Sequence, residues 1–249
     1  MPKKKASETT APWEVTEDMF LSEPEVADLL LHVSDRERSA TSETLIRATV
    51  DRLIIELLLF SGLRNSELCH LRVIDTIVGH GASELRVTST PKQDRAVVIP
   101  QRLSDRIVSF VRDVRAKCLP GGSGNNDELE TLILNERGRP YDRTALYRRV
   151  VRILTESGLE SRASVQLLRH TCGYLSYKRT GGNLLFVQHQ LGHAHPMVTA
   201  VYAQFVKFNE AELANRVGAE LQLDESPHGT PTNAASTSRN SPKKSNRRR

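Results

Sequence analysis

Residues 165–202 read VQLLRHTCGYLSYKRTGGNLLFVQHQLGHAHPMVTAVY, and their punctuation is unusually dense. The first part predicts a helix stopped by Gly181 and Gly182; LLFVQHQLGH (184–193) predicts a second, closed at Gly192. Pro196 suits the first turn of another helix holding MVTAVYAQF (197–205). Upstream, RTALYRRVVRILTESGL (143–159) sets Leu146, Val150, Ile153 and Leu154 on one face and ends at Gly158. From Thr44, the residues Leu45, Ile46, Val50, Leu53, Ile54, Leu57 and Leu58 recur at three- and four-residue steps, the pattern of a buried helix, and Gly62 is its stop.

The segment LRNSELCHL (63–71) predicts a short helix with Asn65 or Ser66 as its cap. ELRVTST (84–90) and RAVVIP (95–100) are rich in β-branched residues and separated by PKQD, which predicts a hairpin. A helix follows from about 102 to 118. The Gly-rich loop PGGSGNND then leads to a short strand, TLILN (131–135). NEAELANRVGAEL (209–221) places Ala211, Ala214, Val217 and Leu221 at helical spacing. The expected class is mostly α with a small antiparallel β-hairpin, in one domain over residues 20–222 without an internal repeat.

Net charge is +5 over 249 residues, and its placement matters more than its sum. Residues 1–10 carry three Lys against one Glu, and residues 224–249 carry six Lys or Arg against Asp224 and Glu225, which leaves the body at −1. Residues 1–19 read as a basic arm. The stretch from 223 onward, rich in Ser, Thr, Asn and Pro, reads as a disordered basic tail able to hold a polyanion loosely. The longest apolar run, Leu53 to Phe60, is broken by Glu56 and falls far short of the roughly 20 residues a bilayer span needs. No apolar segment follows the N-terminal lysines, so a secretory signal is not expected, and Cys69, Cys118 and Cys172 lack disulfide or zinc spacing. The expected place is the cytoplasm.

Arg64, Lys92, Arg169 and His193 each sit beside a structural break, where side chains project into a shared cleft if the breaks converge. Two guanidiniums, an ammonium and an imidazole, with no aspartate cluster for a metal, suit a phosphodiester whose non-bridging oxygens gain negative charge in the transition state. No nucleotide loop is expected, because the glycines of PGGSG are not followed by Lys-Ser or Lys-Thr. His189, His193 and His195 have HxxxHxH spacing, but Gln190 stands where a metalloprotease would carry Glu and no nearby Cys or carboxylate completes a zinc set. Tyr174 and Tyr177, early in their helix, read as packing residues.

These residues resemble a known family. FSGLRNSELCHLRVID (60–75) is similar to the first arginine box of the tyrosine recombinases, or phage-type integrases, usually TGxRxxELxxLxxxD. TPKQDRAVVIP (90–100) resembles their strand-lysine-strand element, and residues 165–202 resemble the second box, HxLRHTxAxxLxxxGxxxxxIQxxLGHxxxxxTxxY. The match runs from about Phe20 to Phe205. It implies that Tyr202 attacks a DNA phosphate to give a 3′-phosphotyrosyl enzyme and a free 5′-hydroxyl. Arg64 and Arg169 would then clamp the non-bridging oxygens, Lys92 protonate the leaving oxygen, and His193 bond the phosphate or assist proton transfer. Glu67 would buttress the site, and His170, next to Arg169, would fix its helix.

The implied protein is a site-specific recombinase without metal, ATP or another cofactor, with double-stranded DNA as partner and neither a membrane nor a small-molecule substrate. It would assemble as a homo-tetramer on paired sites in the nucleoid, and helix 208–222 would cap its own domain or dock on a neighbouring subunit. The resemblance departs at Gln166, where the family usually has histidine. Glutamine can bond a phosphate oxygen but cannot take up a proton near pH 7. Slower chemistry is therefore expected, and Gln166→His should raise cleavage of a nicked DNA substrate; no gain, or a loss, counts against a phosphate-facing Gln166. Fewer residues than the family's N-terminal clamp domain needs precede the match, and with Gln166 this leaves a second reading open: a DNA-binding accessory protein with weakened or lost catalysis.

Overall fold

The computed structural model describes residues 15–77, 83–88, 94–118 and 130–219. Helix α1 (Glu23–Arg38), for which the sequence reading has no counterpart, starts at a reciprocal cap. The Ser22 amide donates to Glu25 Oε2 at 2.8 Å while Ser22 Oγ accepts from the Glu25 amide, and Pro24 occupies the first turn. Helix α2 (Leu45–Ser61) is buried along almost its whole length, with apolar residues on all sides from Leu53 onward and charges at Asp51, Arg52 and Glu56 buried among them. Its buried charges must therefore be paired. Arg149 Nε donates to Asp51 at 2.6 Å, and Arg52 donates to Glu56 at 2.8 Å and to Glu37 at 2.7 Å. Around α2 pack α1 and three helices from later in the chain, residues 101–110, 143–156 and 165–179.

Helix α3 (Asn65–His70) follows the left-handed Gly62, and its cap is Arg64 rather than Asn65 or Ser66. The carboxylate of Glu67, at the third position of the helix, reaches back to accept from the Arg64 amide at 2.8 Å. The strands β1 (Thr76–Ile77), β2 (Glu84–Thr88) and β3 (Asp94–Val98) form an antiparallel sheet in that order, so the expected hairpin gains a third, short strand. Leu85 pairs with Val97 and Val87 with Arg95. The hairpin turn, with Lys92, lies outside the described residues, as does the PGGSGNND loop. Helix α4 (Gln101–Phe110) runs through a π turn (Val111–Arg115) into α5 (Ala116–Cys118).

TLILN does not form a strand. Thr131 and Leu134 make isolated bridges to Arg72 and Pro140, and Leu132, Ile133 and Leu134 are all buried. Three consecutive buried side chains fill space on both sides of the segment, which is incompatible with the one-faced alternation of a two-layer strand. Next come α6 (Arg143–Glu156), α7 (Val165–Arg179), α8 (Leu184–Leu191) and α9 (Pro196–Ala200). The helix expected to hold Tyr202 tightens after Ala200 into a 3₁₀ turn, Val201–Phe205.

The described chain begins on this turn. Val15 is buried and its carbonyl accepts from Gln204 at 3.2 Å, while Phe20 stacks on Tyr174 at 4.4 Å and meets Phe205 edge-on at 4.9 Å. Tyr174 thus packs, as its position suggested. The residues up to Lys207 form one compact unit and those from Phe208 another, a division inside the span read as a single domain. The described part of the second unit is α10 (Glu210–Ala219), with Glu210 and Glu212 in its first turn. Among the described residues no helix is long and apolar enough to cross a membrane.

Candidate active site

Two helices end in left-handed glycines, and their orphaned carbonyls point at arginines. Gly62 (φ +63°) closes α2 and Gly192 (φ +62°) closes α8. The last carbonyls of a helix lack intrahelical donors and carry its negative dipole end, so they attract guanidinium groups. Arg169, from the second turn of α7, donates to Gly62 O and Leu191 O, both at 2.5 Å. Arg64 donates to Gly192 O at 3.1 Å. Glycine is required at both stops by space as well as by φ. A Cβ at Gly62 would lie 2.5 Å from Leu191, and one at Gly192 would lie 2.9 Å from Arg95.

Arg169 is 5% exposed, and burial, helped by the charges of Arg64 and Arg95, pushes its guanidinium down to about 10. It remains a cation at neutral pH. Glu67 is buried below the arginines and accepts from Arg64 Nη1 at 2.7 Å and from Arg95 Nη1 and Nη2 at 2.7 and 3.0 Å. Burial alone would push its carboxyl up, but the Arg95 fork, the Arg64 amide and the Arg64 guanidinium outweigh it and hold the group down to about 2.

Arg95 is a site residue the sequence reading missed. In β3 it shares the inward face with Val97, and an inward guanidinium needs a buried anion. That alternation was the available signal. Thr199 was also missed: fully buried in α9, it places its hydroxyl 2.9 Å from His193 Nδ1. Burial first, then Arg169, Arg64, His170 and Arg95, push His193 down to about 4, so it is neutral at pH 7. With Nδ1 engaged, its other ring nitrogen is left for the groove. His189, His193 and His195 do not gather: among the described residues no group of three His, Cys, Asp or Glu is placed to hold a metal.

Arg64, Arg169, His193 and Gln166 line one open groove of about 810 Å³, bordered by Arg143 and Tyr147 from α6. Gln166 is exposed and its amide lies 3.1 Å from His170 Nε2. His170, expected to fix its helix through hydrogen bonding, has its ring between the Gln166 amide of the same helix and Tyr202, with Nδ1 3.0 Å from the Tyr202 hydroxyl. Tyr202 is 1% exposed, packed with Cys172, Val187 and Leu191, its ring against the backbone of Gly173. Burial pushes its phenol well above the usual tyrosine range, and the nearby Arg169 charge offsets only part of that. Its hydroxyl does not line the groove; it is joined to the groove residue Gln166 through the ring of His170.

Residues 21–207 match the Phage integrase family. The chain belongs to that family. The tyrosine recombinase XerH of Campylobacter jejuni subsp. jejuni serotype O:2 is 27% identical over 172 residues, covering 69% of this chain and 45% of that protein. XerD of Staphylococcus aureus is 25% identical over 168 residues, covering 67% and 54%. The chain spans about half the length of these relatives. A crystal structure of XerH site-specific recombinase bound to difH substrate, a pre-cleavage complex, shares the fold with a TM-score of 0.62 at 21% identity, over 84% of this chain and 56% of that one.

In this phage integrase family member the Glu67 cluster makes stability depend on acid. The folded carboxyl titrates at about 2 against 4.5 in the unfolded chain, so its contribution is complete above pH 4.5 and is lost as pH falls toward 2. The shift corresponds to roughly 3 kcal/mol at pH 7, of which about 2 kcal/mol is gone by pH 3. Urea unfolding of the wild type and Glu67→Gln at both values measures this: the gap between them should narrow at pH 3. An equal gap at both would contradict the ionised cluster.

Proposed function

We propose that the chain cuts and rejoins double-stranded DNA as a site-specific recombinase, through a 3′-phosphotyrosyl bond at Tyr202. The observation that carries this is the convergence of Arg64, Arg169, His193 and Gln166 on one groove, with the Tyr202 hydroxyl bonded to the next residue, His170. The relatives named as tyrosine recombinases, and the XerH site-specific recombinase bound to difH substrate, support the same reading.

A phosphate seated in the groove meets Arg169, fixed by two carbonyls, and Arg64, fixed by Glu67 and Gly192. Both forks are held before substrate arrives, so little reorganisation accompanies charge build-up on the non-bridging oxygens. His193 bonds the phosphate through its free nitrogen. Lys92, outside the described residues, protonates the departing 5′-oxygen. Tyr202 reaches phosphorus only after a shift of the 201–205 turn that uncovers its hydroxyl while leaving it within hydrogen-bond reach of His170, because a tyrosine only 1% exposed meets no phosphate where it lies. The covalent bond conserves the energy of the cut linkage, so resealing needs neither ATP nor metal, and a homo-tetramer on paired sites within the nucleoid completes strand exchange.

The burial of Tyr202 favours a second reading, an accessory DNA-binding protein that does not cleave. One experiment separates them. The full chain is incubated with end-labelled nicked duplexes of randomised sequence and run on a denaturing gel; labelled protein supports the recombinase, and binding without labelled protein supports the accessory role.

A further inference from the structure

We propose that His170 is the general base that takes the proton from Tyr202, the task Gln166 cannot perform. This rests on the cleavage reading above and adds the identity of the proton acceptor. Gln166 and His170 lie one turn apart on α7, on the same face. The amide sits 3.1 Å from His170 Nε2, and Nδ1 of the same ring sits 3.0 Å from the Tyr202 hydroxyl. Amide, imidazole and phenol form one line ending on the reacting oxygen.

Glutamine can donate or accept a hydrogen bond but takes up no proton near neutrality. His193 is engaged with Thr199 and, at about 4, is a poor acceptor. His170 is the remaining described imidazole at the site, and the one whose nitrogen touches the nucleophile. The charged and titratable groups around it are Arg169 beside it, Tyr202 from the 3₁₀ turn, His193 after α8, and Asp18 and Arg162 lining a cavity of about 280 Å³ with Gln166 and His170. Burial, with the Arg169 charge, holds His170 below the usual histidine range, so the ring is neutral at pH 7 and free to accept.

As Tyr202 Oη bonds to phosphorus and the bond from phosphorus to the 5′-oxygen breaks, the phenolic proton passes to His170 Nδ1. The 5′-oxygen takes its proton from the general acid, Lys92 in the proposed function. On resealing, the imidazolium returns its proton to the departing phenol. The tautomer that accepts at Nδ1 carries hydrogen on Nε2, which requires an acceptor at position 166. A half-turn of the Gln166 amide presents its oxygen there without changing shape, whereas glutamate would present only acceptors.

The test uses the full chain and the randomised nicked duplexes, with a 5′-oxygen or a 5′-sulfur at the scissile bond. Sulfur leaves without a proton, so losing a general acid is masked with it while losing a general base is not. His170→Gln should slow adduct formation about 100-fold on both substrates and abolish the fall in rate on the acid side of the pH profile. Gln166→Glu should retain adduct formation and move that acid limb about one unit higher, because a carboxylate beside Nε2 raises the imidazole. If His170→Gln stays within about twofold of wild type on the sulfur substrate, or the acid limb is unmoved in both variants, His170 is not the base. Absence of adduct with unaltered protein is a different outcome: it overturns the cleavage reading and this inference with it.

Discussion

Arg169→Lys should lower the rate of covalent adduct formation by about 1,000-fold while the protein stays folded. The guanidinium spans Gly62 O and Leu191 O at 2.5 Å each, tying the ends of α2 and α8 to α7. A single ammonium on a flexible stem offers no planar fork for two fixed carbonyls and a phosphate together. Leaving one carbonyl unmet costs about 1–3 kcal/mol, within what a domain of this size withstands. Charge compounds the loss. The burial and neighbouring arginines that bring Arg169 down to about 10 would also depress a lysine there, whose ordinary value is already lower. The variant should therefore show a rate that falls toward alkaline pH where the wild type does not, which a pH series of adduct yields, alongside a thermal melt, would detect. Wild-type rates from a folded Arg169→Lys protein would remove Arg169 from the phosphate.

Tyr202→Phe should abolish the adduct altogether and leave DNA binding within about twofold, since no cation is touched. The phenyl ring keeps its packing against Gly173, Cys172, Val187 and Leu191. Only the hydrogen bond to His170 is lost, at a cost of about 1 kcal/mol. A small stability change with complete loss of covalent product is what distinguishes a nucleophile from a packing tyrosine. Gel shift and denaturing electrophoresis of the same samples measure both quantities. An adduct that survives in Tyr202→Phe would place the nucleophile elsewhere.

The positions of the helix ends were legible because glycine does two things at once at Gly62 and Gly192: it adopts positive φ and leaves room for Leu191 and Arg95. Arg64 and His193 could be expected at a common site because each stands beside such a stop, and Arg169 because it is a charge beside Leu167 and Leu168 on an apolar helix face. Arg95 was not anticipated, because a charged residue at the start of a hairpin strand reads as solvent-facing until its partner, Glu67, 28 positions earlier, is known. Helix α1 was overlooked although Ser22, Pro24 and Glu25 spell a helix start; only Val26, Leu29 and Val33 are buried, and the exposed Leu31 blurs the apolar stripe they form. The roles of Gln166 and His170 depend on where the Tyr202 hydroxyl falls in space. A 3₁₀ turn in place of a continued helix sets that position, and no local pattern in MVTAVYAQF announces the change.

The most direct measurement is peptide mapping of the covalent product. Wild-type protein is reacted with nicked duplex, digested with nuclease and protease, and the peptides weighed. The expected result is a residual nucleotide carried through its 3′-phosphate on Tyr202. A nucleotide on Tyr147, Tyr174 or Tyr177, or unmodified peptides throughout from protein that demonstrably binds the duplex, would contradict it.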